Sequence, residues 1–227
     1  MTSGPSPSGL KVVLIIGAGN MAKEYLRALN ALPELFSVSG VVGRQVTRPE
    51  WLSGNINYFH EIKAALMFRK SDVCIIAVSE NSILNVIKSL GSFDGLLLLE
   101  KPVGRDITEF SEITKVQRVI GLDVRVAMNR RFFKSINVAR QLNEKWFFSV
   151  RDQQGASEFS EARLSAIGRN NIPYANSIHL IDSLIHICGA DTFRIITPIR
   201  VSGPGVYVGE FLLGTDNRVS YVLAWER

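Results

Sequence analysis

Cysteine and histidine are scarce: the 227 residues include two Cys and three His. Cys74 and Cys188 stand far apart, each within an apolar stretch. That spacing excludes a disulfide scaffold or a cysteine-rich zinc knuckle and points to reduced, buried thiols. Long apolar runs are also missing. The longest, such as Leu96 to Leu99, are strand-sized, well short of the roughly 20 residues that span a bilayer, which excludes a membrane protein. Lys and Arg outnumber Asp and Glu by 26 to 21, yet the excess forms no basic cluster interleaved with aromatics, so a nucleic-acid partner is not expected. A small anionic ligand accounts for the +5 formal charge as well. Met1 to Gly9 contain neither Lys nor Arg nor an apolar core, so they read as a disordered leader (residues 1–10) rather than a signal or transit peptide, and the expected location is cytoplasmic.

What is abundant is apolar side chain: 46% of residues against 21% charged, with no room for a disordered chain on that balance. The length allows one large domain, or one complete domain with a partial second.

Val12 to Ile16 is a short β-branched apolar run closed by Gly17-Ala18-Gly19, and Met21 to Leu32 then shows helical spacing. Pro33 ends that helix and Phe36 to Val42 returns as a strand, completing a βαβ unit. The alternation continues with strands at Ile56 to Phe59, Asp72 to Val78, Leu96 to Glu100 and Arg125 to Met128. Helices are expected at Glu61 to Phe68, Ser82 to Leu90 and Thr108 to Val116. Near-continuous apolar strands separated by helices of about ten residues predict a doubly wound parallel sheet covered on both faces, an α/β Rossmann domain over residues 11–130.

The rhythm then changes. Phe133 to Lys145 reads as a helix, Phe147 to Asp152 as a strand, Ser157 to Arg169 as an irregular polar segment, and Asn176 to Ile187 as an amphipathic helix stopped by Gly189. Thr192 to Val201, Val206 to Leu213 and Val219 to Trp225 follow as three strands joined by turn-forming residues, which allows them to be antiparallel neighbours. Residues 131–227 are therefore expected as a partial α+β domain with an open, mainly antiparallel sheet. Val206, Val208, Phe211 and Leu213 are candidates for an apolar face that makes a homo-oligomer.

The motif Gly17-Ala18-Gly19-Asn20-Met21-Ala22 is a G-x-G-x-x-A placed between a buried strand and a helix start. Gly17 permits the tight turn, Gly19 leaves room for a pyrophosphate, and Ala22 lets the helix approach the sheet. At the end of the second strand, where NAD-binding proteins usually carry an acidic residue, the chain reads Val42-Gly43-Arg44-Gln45-Val46-Thr47-Arg48. Arg44, supported by Arg48, can pair with a 2′-phosphate, which makes NADP the preferred cofactor and NAD the alternative. Glu100-Lys101-Pro102 sets an amine at the carboxyl edge of the sheet, and an ammonium near a cationic nicotinamide suits proton transfer. His179, Asp182 and His186 share one helix face, but only the last two have the i, i+4 spacing of a ligand pair, so no metal is expected. His60 carries no signal. Arg169, Asn170 and Asn171 are loop residues that could reach a sugar.

Together with Ala77-Val78-Ser79-Glu80-Asn81, Asn129-Arg130-Arg131-Phe132 and Asn176-Ser177-Ile178-His179-Leu180-Ile181-Asp182, these motifs resemble the Gfo/Idh/MocA oxidoreductases, named for glucose-fructose oxidoreductase and inositol dehydrogenase. The resemblance implies cofactor binding by Gly17, Gly19, Asn20, Met21, Arg44, Ser79, Glu80, Asn81, Glu100, Lys101 and Asn129. It implies substrate contacts from Lys101, Arg130, Arg131, Asn176, His179 and Asp182, with Lys101 and His179 catalytic. The expected function is hydride transfer between NAD(P) and a hydroxyl or keto group of a sugar, cyclitol or nucleotide sugar. Two departures stand out. Ala175 occupies a position where family members place an aspartate, and the chain stops at Arg227 where members continue for several strands. Both leave open a catalytically silent NAD(P)-binding sensor or partner subunit. A reductase for a planar non-sugar substrate is the third reading.

Overall fold

The computed structural model describes residues 9–142, 144–154, 177–203 and 206–225. The chain forms two compact units, divided between Ala127 and Met128. The leader to Ser8, the Ser157 to Arg169 segment, and Asn170, Asn171, Ala175 and Asn176 all lie outside the described residues.

The first unit is a six-stranded sheet in the order β3-β2-β1-β4-β5-β6. Its strands are β1 (Lys11–Ile16), β2 (Phe36–Val42), β3 (Tyr58–Phe59), β4 (Val73–Ile76), β5 (Leu96–Leu99) and β6 (Asp123–Val126). Every pairing is parallel. The helices are α1 (Asn20–Asn30), α2 (Ile62–Phe68), α3 (Glu80–Leu90) and α4 (Ile107–Ile120).

The unbroken apolar runs of β1 and β4 follow from burial on both faces. Leu14, Ile16, Cys74 and Ile76 join one core with Ala65 of α2, Ile83 and Ile87 of α3, and Ile113 of α4. The alternate residues Val13, Ile15 and Ile75 join a second core with Ala22, Leu26 and Leu29 of α1. Each fully buried Leu or Ile contributes roughly 1.5–3 kcal/mol. α4 is longer than its periodicity suggests because Asp106 caps it, accepting a 2.9 Å bond from the Glu109 N–H, and Gly121 closes it at φ 75°.

The second unit holds a tight helical turn at Asn129–Phe132, α5 (Lys134–Leu142), β7 (Phe147–Gln154), α6 (Ile178–Cys188), β8 (Phe193–Gly203), β9 (Val206–Leu213) and β10 (Asn217–Trp225). Its sheet runs β7-β10-β9-β8. β8, β9 and β10 are antiparallel neighbours, whereas β7 pairs with β10 in parallel. With a parallel sheet in the first unit and a mixed, mostly antiparallel one in the second, the chain is α/β, as the sequence pattern predicts. α5 ends earlier than expected, because the Trp146 N–H donates a 2.8 Å bond to Asn217 Oδ1 and Lys145 pairs with Asp216, drawing this stretch toward the start of β10.

Leu184 and Ile185 of α6 pack on Phe211, Leu213, Val219, Tyr221 and Leu223. Two of the residues expected on an open oligomer face are therefore core: Phe211 is 4% exposed and Leu213 0%. The strict alternation along β9 sends them toward α6, while Val206 and Val208 point the other way. Among the described residues no helix is long and apolar enough to cross a membrane.

Candidate functional site

In the first unit the chain crosses from β3, at one edge of the sheet, to β4 beside β1. Strand order therefore reverses between β1 and β4, where open parallel sheets form a crevice beyond their carboxyl ends. A cavity of about 480 Å³ occupies this place. It is lined by Gly17 and Gly19 after β1, Arg44 and Gln45 after β2, His60 after β3, Ser79 after β4, and Ser82, Asn85 and Ser89 of α3. The volume falls within the range of small-molecule and cofactor sites.

The two glycines have different reasons to be there. Gly17 stands at φ 121°, and a Cβ on it would lie 2.1 Å from the Ala77 carbonyl oxygen, so only glycine allows β1 and β4 to close up at the turn. A Cβ on Gly19 would meet no atom within 4 Å. It is the space beyond Gly19, not the backbone, that a side chain would fill. α1 begins there with no side-chain cap and no acidic residue in its first turn, leaving its leading N–H groups and the positive end of its dipole to the cavity. This cradle suits a pyrophosphate.

Arg44 is exposed at the cavity rim, and among the described residues no carboxylate pairs with it. Arg48 gives it no support. Its guanidinium donates to the carbonyls of Leu52, Ser53 and Ile56, so it clamps the following loop. Gly43 packs tightly, since a Cβ there would come 2.3 Å from the Tyr58 hydroxyl.

Of the other residues expected to serve the cofactor in this unit, Ser79 lines the cavity, whereas Asn20, Met21, Glu80 and Asn81 are not among its lining residues. Glu100 and Lys101 follow β5, two strands from β1, also outside that lining. Glu100 Oε1 accepts a 2.5 Å bond from the Tyr25 hydroxyl of α1, and Glu100 Oε2 a 3.2 Å bond from the Lys101 N–H. Burial first, then the hydrogen bond and charge of Glu100, push the Tyr25 hydroxyl far above its ordinary pKa. The Lys101–Pro102 peptide is cis, and the Lys101 side chain is half-buried.

Cavity residues to which no sequence motif assigns a role are Gln45, His60, Ser82, Asn85 and Ser89. The α3 set does carry a signal: polar residues at 82, 85 and 89 recur at i, i+3 and i+7 and so share one helix face. His60 has none, because its place depends on the pairing of β3 with β2.

In the second unit Asn129 and Arg130 are exposed on the tight turn. Arg131 and Asp182 bind each other through two parallel bonds, Nε to Oδ2 at 2.7 Å and Nη2 to Oδ1 at 2.5 Å. The paired Asp182 carboxylate raises the Arg131 pKa. His179 is half-buried in α6, and its carbonyl accepts from Ser183 Oγ at 2.7 Å. His186 stands 3.2 Å from Arg140 Nη1. Burial, with the charges of Arg140 and Arg131, lowers its pKa against the pull of Asp182. Among the described residues no group of three His, Cys, Asp or Glu side chains could hold a metal.

The model of an oxidoreductase family with an NAD-binding Rossmann fold matches residues 11–128. Among solved structures, the chain is similar to the MviM dehydrogenase of Clostridium difficile, at 16% identity and TM-score 0.77, covering 96% of this chain and 71% of that one. It is similar to the WlbA dehydrogenase of Thermus thermophilus in complex with NAD and UDP-GlcNAcA, at 17% identity and TM-score 0.72, covering 95% and 74%. An oxidoreductase from Bacillus cereus matches at 16% identity and TM-score 0.71, covering 94% of this chain and 64% of that one. At such identities the likeness shows the fold. The chain spans less than two thirds of the Bacillus cereus protein's length. No curated protein matches the chain by sequence. With a family model matching more than half of its length, and a glycine turn and switch-point crevice of the kind that family's fold provides, the chain belongs to the Gfo/Idh/MocA oxidoreductases.

Proposed function

We propose that the first unit binds NADP in preference to NAD, and that the protein is an oxidoreductase acting on a hydroxyl or keto group of a sugar, cyclitol or nucleotide sugar. One observation carries the cofactor reading: the cavity at the β1–β4 reversal combines an open Gly19 cradle with an Arg44 that no described carboxylate pairs, and its lining includes no acid. NAD-type sites place an acid near the end of β2 for the ribose hydroxyls, and here a guanidinium stands in that place. Gly17 and Gly19 hold the pyrophosphate, and Arg44 the 2′-phosphate. Ser79 contacts the nicotinamide half, with Asn20, Met21, Glu80, Asn81, Glu100 and Asn129 assigned to the cofactor as the family resemblance implies.

When bound, the nicotinamide supplies a two-electron hydride acceptor or donor. Lys101 then holds or delivers the substrate hydroxyl proton through its amine, and Glu100 positions it by fixing the Lys101 backbone. In the second unit, His179 is assigned to proton handling, and Asn176, Arg130 and the Arg131–Asp182 pair to the substrate. The sugar class is supported by the WlbA dehydrogenase, whose structure holds UDP-GlcNAcA. Self-association is assigned to the sheet face bearing Val206 and Val208, with light scattering as its check.

The deciding experiment titrates NADP and NAD separately, followed by fluorescence, and then screens sugars, cyclitols and nucleotide sugars for nicotinamide absorbance change. Tighter NADP binding with turnover on one of these substrates is the expected result. Binding without turnover on any of them supports a silent partner subunit, and no binding removes the cofactor reading.

A further inference from the structure

Besides Arg44, one other side chain lining the nucleotide cavity can carry charge, and it belongs to no motif: His60. It follows β3, whose two residues pair with the end of β2 at Val41↔Tyr58 and Val42↔Phe59. That pairing brings His60 to the same end of the sheet as Arg44 and Gln45. Tyr58 ties the two segments together. Its hydroxyl donates a 3.0 Å bond to the Gln45 carbonyl, and its ring meets the His60 imidazole edge-on at 5.2 Å and 85°. The missing side chain of Gly43 is what lets the Tyr58 hydroxyl in.

We infer that His60 is a specificity-determining residue for the cofactor, donating an imidazole N–H to the 2′-phosphate that Arg44 also engages. The inference rests on the cofactor reading above. Its grounds are the shared cavity, the Tyr58 tie that sets His60 relative to Gln45, and a described lining without any carboxylate to repel a phosphate. An imidazole N–H donates to a phosphate oxygen in either protonation state. A dianionic group gripped by an arginine has lone pairs left for a second donor.

The test compares the chain with its His60→Leu and His60→Phe variants, neither of which keeps a side-chain donor, in titrations with NADP, NAD, 2′-AMP and 5′-AMP. His60→Phe keeps an aromatic ring against Tyr58 and checks that the fold survives the loss of the imidazole. Both variants should bind NADP and 2′-AMP at least about tenfold more weakly, a charge-assisted hydrogen bond's worth, with NAD and 5′-AMP within about twofold of the parent. Equal weakening for all four ligands would make His60 an adenine contact and overturn the inference. Unchanged NADP affinity, or a parent chain that prefers NAD, overturns it too, while leaving nucleotide binding itself intact. A parent chain that binds none of the four removes the cofactor reading as well.

Discussion

The Tyr25 hydroxyl of α1 donates a 2.5 Å hydrogen bond to Glu100, the residue directly before Lys101. The same carboxylate accepts the Lys101 backbone N–H. One acid thus joins the helix that starts at the glycine turn to the backbone that bears the amine. Tyr25→Phe removes one of its two bonds. The expected cost is about 1 kcal/mol in urea denaturation, with a fall in kcat larger than the change in NADP affinity, because the anchor of the Lys101 backbone loosens while the cavity stays intact.

Lys101→Met and Lys101→Ala keep the nucleotide cavity, which Lys101 does not line. NADP affinity should stay within about twofold of the parent, and turnover should fall at least about a hundredfold. Steady-state kinetics beside direct titration separates the two quantities. Parental turnover in either variant would end the assignment of Lys101.

The two glycines of the turn should fail differently. Gly17→Ala drives a Cβ to 2.1 Å from the Ala77 carbonyl oxygen at φ 121°, and should destabilise the chain by about 3 kcal/mol. Gly19→Ala meets no protein atom, so thermal unfolding should barely move, yet NADP should bind about tenfold or more weakly because the methyl takes pyrophosphate space. Equal losses of stability in both would contradict the cradle.

In the second unit the Asp182 side chain is 10% exposed and that of Arg131 42%. Arg131→Met strands the buried partner and should cost about 1–2 kcal/mol, the exposed end being screened by water. Asp182→Asn, which keeps an acceptor for Arg131, should cost less. Chemical denaturation of both variants measures the order.

The lowered His186 pKa fixes the sign of a pH effect. Between the ordinary imidazole value of about 6.5 and the lower value in the fold, the unfolded chain binds more protons than the folded one. Stability due to His186 is therefore complete above that window and is lost as pH falls through it. His186→Gln should flatten this part of the stability profile; a steeper profile in the variant would mean the opposite sign.

Much of the fold is legible in the sequence because it depends on neighbours along the chain. Val12 to Ile16, the Gly17–Gly19 turn and the helix after it are local, and the apolar continuity of β1 and β4 announces burial on both faces. What escapes depends on partners far away. β7 alternates only partly, and nothing in Phe147 to Asp152 says that it will lie parallel to β10. Phe211 and Leu213 look like one apolar set with Val206 and Val208, although the odd and even positions of a strand part company. Arg48 has the makings of a phosphate ligand until the loop carbonyls it holds are in view. His60 enters the cavity through the pairing of a strand two residues long.

The reversal of strand order leaves β1-β2-β3 and β4-β5-β6 joined in the sheet along a single seam, β1 against β4. A nucleotide held by Gly19 and Arg44 on one flank and by Ser79 on the other would staple that seam shut. Its binding energy would then oppose the parting of the two three-stranded halves, so amide hydrogens of β1 and β4 should exchange more slowly together in saturating nucleotide.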